Sequence, residues 1–96
     1  MVSKIQGIKL KLIEELRKQN FDFNRRAAYL VPLKDQLVTV CLALHLYGPD
    51  SAEKISKKIG LPRAEVSDYC NQAERGGYVQ RGNGRPVVFG IANKYQ

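Results

Sequence analysis

Between Leu33 and Tyr47 the chain is apolar at Leu33, Leu37, Val38, Val40, Cys41, Leu42, Leu44 and Leu46, which leaves a helix there almost no polar face. Such a helix has to be covered on most sides, so the rest of the chain must be arranged around it. The residues that follow say how. Gly48-Pro49 ends the helix. Asp50 or Ser51 caps a second helix, Ala52 to Ile59, with Glu53 at capping-box spacing from Asp50. That helix buries Ala52, Ile55 and Ile59 and turns Lys54, Lys57 and Lys58 outward. Gly60-Leu61 is a tight turn, and Pro62 suits the first turn of a third helix, Arg63 to Arg75. Its inner face carries Val66, Tyr69, Cys70 and Ala73. Gly76-Gly77 stops it, and the apolar period changes to two. A strand over Tyr78 to Arg81, a hairpin signal at Gly82-Asn83-Gly84 and a return strand over Val87 to Ile91 follow.

Upstream, Ser3 to Gln19 reads as an amphipathic helix with Ile5, Ile8, Leu12, Ile13 and Leu16 at three- and four-residue steps. Asn20 to Arg26 is a polar break carrying two aromatics. Ala27 to Val31 is a short helical or extended piece ended by Pro32, which biases Val31 away from helix. The tail from Ala92 is too short to carry a pattern. The expected architecture is mainly α with a small β-hairpin. Residues 1–26 form an N-terminal helix and connector, and residues 27–96 form the domain.

Ninety-six residues hold one core. Sixteen Lys and Arg against nine Asp and Glu leave +7, a balance suited to a polyanionic partner. An anionic membrane is the rival, but Glu14, Glu15 and Asp22 flank the apolar stripe and no bulky aromatic anchors it. No signal peptide is expected, because Lys4, Lys9 and Lys11 interrupt the first apolar positions, and no run approaches a membrane span. Cys41 and Cys70 have no CxxC or Cys/His spacing and read as buried free thiols of a reducing compartment. The expected location is cytoplasmic or nucleoid-associated. His45, the one histidine, lies in the most apolar helix and reads as a satisfied core residue. No paired carboxylates, phosphate loop or metal-ligand spacing stands out, so no catalytic residue, metal, cofactor or small-molecule ligand is expected.

Core helix, capped helix, glycine turn, second helix, double glycine and hairpin with a basic tip is the order of a helix-turn-helix followed by a wing. The stretch SAEKISKKIGLPRAEVSDYCNQAERGGYVQRGNGRPVVFGI, Ser51 to Ile91, resembles the winged helix-turn-helix superfamily. The resemblance implies that Pro62 to Arg75 is a recognition helix lying in the major groove of double-stranded DNA. With the inner face buried, Arg63, Ser67 and Asn71 line up outward, flanked by Asp68, Gln72 and Arg75. Arginine can grip guanine, Asn or Gln can grip adenine, and serine tolerates several bases, so Arg63, Ser67, Asn71 and Gln72 are the base-reading candidates. Glu65, Asp68 and Glu74 nearly cancel Arg63 and Arg75. Phosphate contacts therefore fall mainly to Lys54, Lys57, Lys58, Arg81 and Arg85, with Arg75 beside them. Arg85 can alternatively enter a narrow minor groove.

Ser56 to Ala92 is also similar to winged domains that bind left-handed Z-form nucleic acid, with Pro62, Arg63 and Pro86 matching. The asparagine and tyrosine those domains use fall at Ser67 and Asn71, and their wing tryptophan at Phe89, so Z-form recognition is not carried over. A likeness to small bacterial fimbrial regulators is of a level shared by many winged helices. The stripe Ile5, Ile8, Leu12, Ile13 and Leu16 is expected to pair two copies, rather than fold back, so that two recognition helices meet successive groove turns. The reading is a dimeric regulator of transcription or of replicon maintenance. Its rivals are a winged-helix module that docks protein and an RNA binder that lacks a stacking platform.

Overall fold

The computed structural model describes residues 3–96. Its centre is α3 (Asp35–Tyr47), in which Thr39, Val40, Cys41, Leu42, Ala43 and Leu44 are all buried. Thr39 is the polar member, and its hydroxyl donates to the Asp35 carbonyl at 2.7 Å, so nothing polar is stranded. Three elements cover α3: α1 (Lys4–Lys18), α5 (Arg63–Arg75) and the strand β3 (Val88–Ile91). The fourth helix, α4 (Ala52–Ile59), packs on α5 through Ile55 and Ile59. Order and packing are those of a winged helix-turn-helix.

The first helix lies against its own chain. Ser3 caps it by accepting from the Gln6 N–H at 3.2 Å, and Leu12 and Leu16 are 4% and 1% exposed in the shared core. Lys9 closes the contact at its rim with a 2.8 Å ion pair to Asp35. The hydrogen bonds from Lys9 and Gln6 hold the Asp35 carboxyl below the usual carboxylate range. The expectation that the whole stripe serves a second copy is therefore corrected at Leu12 and Leu16. They are needed to cover α3, whose lack of a polar face asks for a neighbour on that side too. Ile5, Ile8 and Ile13 are half-buried against the same core.

Several local expectations shift. The connector read as a polar break holds a helical turn, α2 (Phe23–Arg26), because the Asp22 side chain accepts from the Arg25 N–H at 3.0 Å. A 3-10 turn, Ala28–Leu30, follows. Val31 stays helical (φ −53°, ψ −46°) despite Pro32, since its N–H closes that turn on the Ala28 carbonyl at 3.2 Å. Ser51 caps α4, accepting from the Lys54 N–H at 3.3 Å, so the Asp50–Glu53 capping box does not form. Asp50 and Ser51 make a short strand, β1, that no alternation announced. They pair antiparallel with Phe89 and Val88, giving a sheet in the order β1-β3-β2 with β2 at Val79–Arg81. The wing loop runs from Gly82 to Val87, and the Gly82 N–H donates to the Val88 carbonyl at 2.8 Å. Of the glycine pair after α5, Gly77 takes the left-handed conformation (φ +82°), which lets the Tyr78 N–H reach the Ala73 carbonyl at 2.9 Å.

Below the centre of α3 sits a polar pair within an aromatic cluster. The Tyr29 hydroxyl and His45 Nε2 are 2.8 Å apart, and Phe21 meets the imidazole edge-on at 5.2 Å between centroids. Burial, helped by the nearby Arg26 charge, pushes His45 down to about 4, so it is neutral at pH 7 and can serve that hydroxyl as an acceptor. Cys41 and Cys70 are both free and 0% exposed, and burial pushes each thiol up to about 12. Among the described residues no helix is long and apolar enough to cross a membrane.

Two outcomes test this arrangement. Urea unfolding of Leu16→Ala should show a loss of about 2–5 kcal/mol, against a change within about 0.5 kcal/mol for Leu10→Ala, whose side chain is 56% exposed. Equal, small effects would mean that α1 does not belong to the core. Because His45 titrates lower folded than unfolded, its contribution to stability is present above about pH 6.5 and is lost as pH falls toward 4. The unfolding midpoint should fall across that window, and His45→Gln, which keeps an acceptor without titrating, should flatten the fall. Asp35 and Asp50 are held below their ordinary value of 3.8 and act only at lower pH.

Candidate nucleic-acid interface

The geometry of α5 sorts its residues by row. Pro62 precedes it and its carbonyl accepts from the Val66 N–H at 3.1 Å, which starts the helix without a side-chain cap. Val66, Cys70 and Ala73 are fully buried, fixing the rotation of the helix about its axis. Arg63, Ser67 and Asn71 consequently share an outer row. That row forms one wall of an open groove of about 270 Å³, whose other walls are Ser51 to Glu53 at the start of α4 and Arg81, Pro86 and Phe89 of the hairpin.

The hairpin is strapped to α5 by one side chain. Arg81 Nη2 donates to Asn71 Oδ1 at 2.6 Å and to Glu74 Oε1 at 3.2 Å, while Nε lies 3.3 Å from both Glu74 oxygens. The guanidinium also sits 5.2 Å from the centroid of the Phe89 ring, itself in the core. Two consequences follow for recognition. Glu74 neutralises Arg81, so the uncompensated charge of the wing is mainly Arg85, which is exposed and in no ion pair among the described residues. Asn71 has one lone pair of its carbonyl oxygen engaged, while its two amide N–H donors make no hydrogen bond among the described residues.

The remaining sequence-derived candidates divide. Gln72 lies outside the groove walls and donates to Asp68 at 3.0 Å, four residues back along α5. Arg75 is exposed, its Nε 3.4 Å from the Asn71 carbonyl. On α4, Lys54, Lys57 and Lys58 are all exposed, as expected. Lys58 is tied to Asp50 at 2.9 Å and lies 4.9 Å from the Tyr47 ring centroid, Lys57 approaches Glu53 at 3.9 Å, and Lys54 is in no ion pair among the described residues. The bond from Lys58 holds the Asp50 carboxyl below its usual range.

Sequence reading missed the role of Glu74, which it set against Arg63 and Arg75. Arg81 is seven residues away, across the double glycine, and only the folded hairpin brings them together. It also missed Asp50 as an anchor for Lys58, because a two-residue strand has no period to detect. Among the described residues no group of three or more His, Cys, Asp or Glu side chains is placed to hold a metal ion.

A comparison with curated proteins finds no match. One with protein families matches residues 33–94, from just before α3 to the second 3-10 turn (Asn93–Tyr95), so that α1 and α2 lie outside it. The matched span contains the whole groove and its wing. It carries the description "Sugar-specific transcriptional regulator TrmB", and with well over half of its length matched, the chain belongs to this TrmB family of winged helix-turn-helix DNA-binding transcriptional regulators.

Proposed function

We propose that the chain is a sequence-specific reader of double-stranded DNA that places α5 in the major groove and its wing along the backbone. The observation that carries this is the convergence of Arg63, Ser67 and Asn71 with the Arg81-strapped hairpin on one open groove. Arg63, unpaired among the described residues, is the guanine reader. Ser67 follows one turn on. Asn71, whose oxygen is tied to Arg81 while its amide donors are free, favours a base edge rich in acceptors, such as the N7 and O6 of guanine or the N7 of adenine. Gln72 reads a base only if it leaves Asp68. Lys54, Lys57, Lys58, Arg75 and Arg85 are the phosphate contacts, with Arg85 also able to enter a narrow minor groove. Membership of a transcription-regulator family sets replicon maintenance aside, and the family is one of regulators, not enzymes.

Two copies on successive half-sites complete the proposal. The surface that supports it differs from the stripe first read. Val31 is 85% exposed beside an apolar groove of about 320 Å³ bounded by Ile13, Phe23, Leu30 and Val38. A second copy seated there keeps Leu12 and Leu16 in the core.

Fluorescence anisotropy on selected and scrambled duplexes tests the DNA reading. Arg85→Ala should lower the salt slope by about one while leaving sequence preference intact, and Arg63→Ala should erase discrimination at one base position, worth about 1–3 kcal/mol. Arg81→Ala should act on preference at the Asn71 position more than on the slope. No salt-dependent binding by the wild type at tens of micromolar would instead place a protein against the groove. Sedimentation of Val31→Asp should show monomer where the wild type is dimeric; an unchanged dimer would move the interface elsewhere.

A further inference from the structure

We infer that the chain carries a second anion site, at the end of the hairpin opposite the wing tip, that takes a small phosphate monoester. The strands β2 and β3 run from the wing loop to a base formed by Tyr78 on one side and Ala92 to Tyr95 on the other, joined by the Ala92 N–H to the Tyr78 carbonyl at 3.0 Å. At this base Arg25, Arg26 and Lys94 border one cavity of about 310 Å³, walled by Tyr29 and Tyr95. No Asp or Glu borders it, and none of the three cations is in an ion pair among the described residues.

Three like charges around one hollow repel each other unless something holds them. Aromatic rings hold two of them, Arg26 and Lys94. Tyr29 and Tyr95 stack at 4.0 Å between centroids and 12° between planes, with Tyr78 6.1 Å from each. The Arg26 guanidinium lies 4.7 Å over the Phe21 ring and Lys94 Nζ lies 5.2 Å from the Tyr95 ring. The stack is anchored below by the Tyr29–His45 contact on α3. The arrangement is thus an aromatic wall with three unpaired cations around it, and a phosphate, with its several acceptor oxygens and more than one charge, suits such a set of two arginines and a lysine. The cavity has room for a small ester, and its tyrosine lining is aromatic surface for the group that bears the phosphate. Arg25 and Arg26 stand far from Lys94 in the chain, and only the fold joins them.

A DNA backbone and a free phosphate ester share this chemistry, and one experiment separates them. The 15N-labelled full chain is titrated with inorganic phosphate, with phenyl phosphate and with a 20-base-pair duplex, at ionic strength held constant with chloride. Saturable shifts at residues 25–29 and 94–96 with both small probes are expected, the phenyl ester binding the tighter. Arg25→Ala/Lys94→Ala, whose side chains lie at the surface, should weaken phosphate by about tenfold while the Leu16 amide stays in place. Shifts that never saturate, shifts centred on Arg63 and Arg85, or a double variant that binds phosphate as the wild type does would each overturn the site. Movement of these residues by the duplex alone would assign them to DNA and overturn the small-ligand proposal. Because the two small-probe titrations contain no DNA, their outcome is independent of whether α5 reads an operator.

Discussion

Burial of α3 is the constraint on which the rest of the structure depends. Six consecutive residues, Thr39 to Leu44, are buried, so no turn of the middle of this helix can face water. One neighbour cannot cover such a helix. Helix α5 takes one side, β3 another, and α1 closes what they leave, with Leu16 deeper in the core than any other residue of its helix. At about 25 cal/mol per Å² of apolar surface, leaving one such side open would offset a large share of the stability of a domain this small. This is why the first helix is drawn into its own domain.

The same packing sets up recognition. Val66, Cys70 and Ala73 press α5 onto α3 and thereby decide that Arg63, Ser67 and Asn71 point away. The hairpin is seated by its own buried residues Val79, Phe89 and Ile91, and Arg81 adds a tie from it to α5. An ion pair at this exposure contributes little to stability, on the order of 1 kcal/mol or less. Its value is geometric, since one guanidinium joins β2 to two residues of α5 and rests beside a core phenylalanine. Strength and placement are thus handled by different residues.

The aromatic cluster follows a similar division on the other side of the molecule. His45 enters a nearly dry helix, which would be costly if it were charged, and burial keeps it neutral so that it can serve the Tyr29 hydroxyl. Tyr29 then supports Tyr95 and Tyr78, and through Tyr78 the stack is joined to the glycine turn that ends α5. Polar atoms inside this core are satisfied locally and leave the charged side chains at its edge unpaired.

Much of this was legible in the order of residues. Gly60, Pro62 and Gly76-Gly77 bracket α4 and α5 to within a residue, because turn and cap preferences act over a few bonds. The outer row of α5 was readable for the same reason, as helical periodicity follows from local geometry. What lay beyond reach was the meeting of distant segments with no period of their own: β1 on β3, Glu74 with Arg81, and Arg25, Arg26 and Lys94 around one cavity. The apolar stripe of α1 shows the boundary most plainly. Its existence was determined by the sequence alone, since spacing creates it. Whether Leu12 and Leu16 meet a second copy or their own core was decided only in the tertiary structure, because burial depends on which uncovered surface of α3 lies nearest.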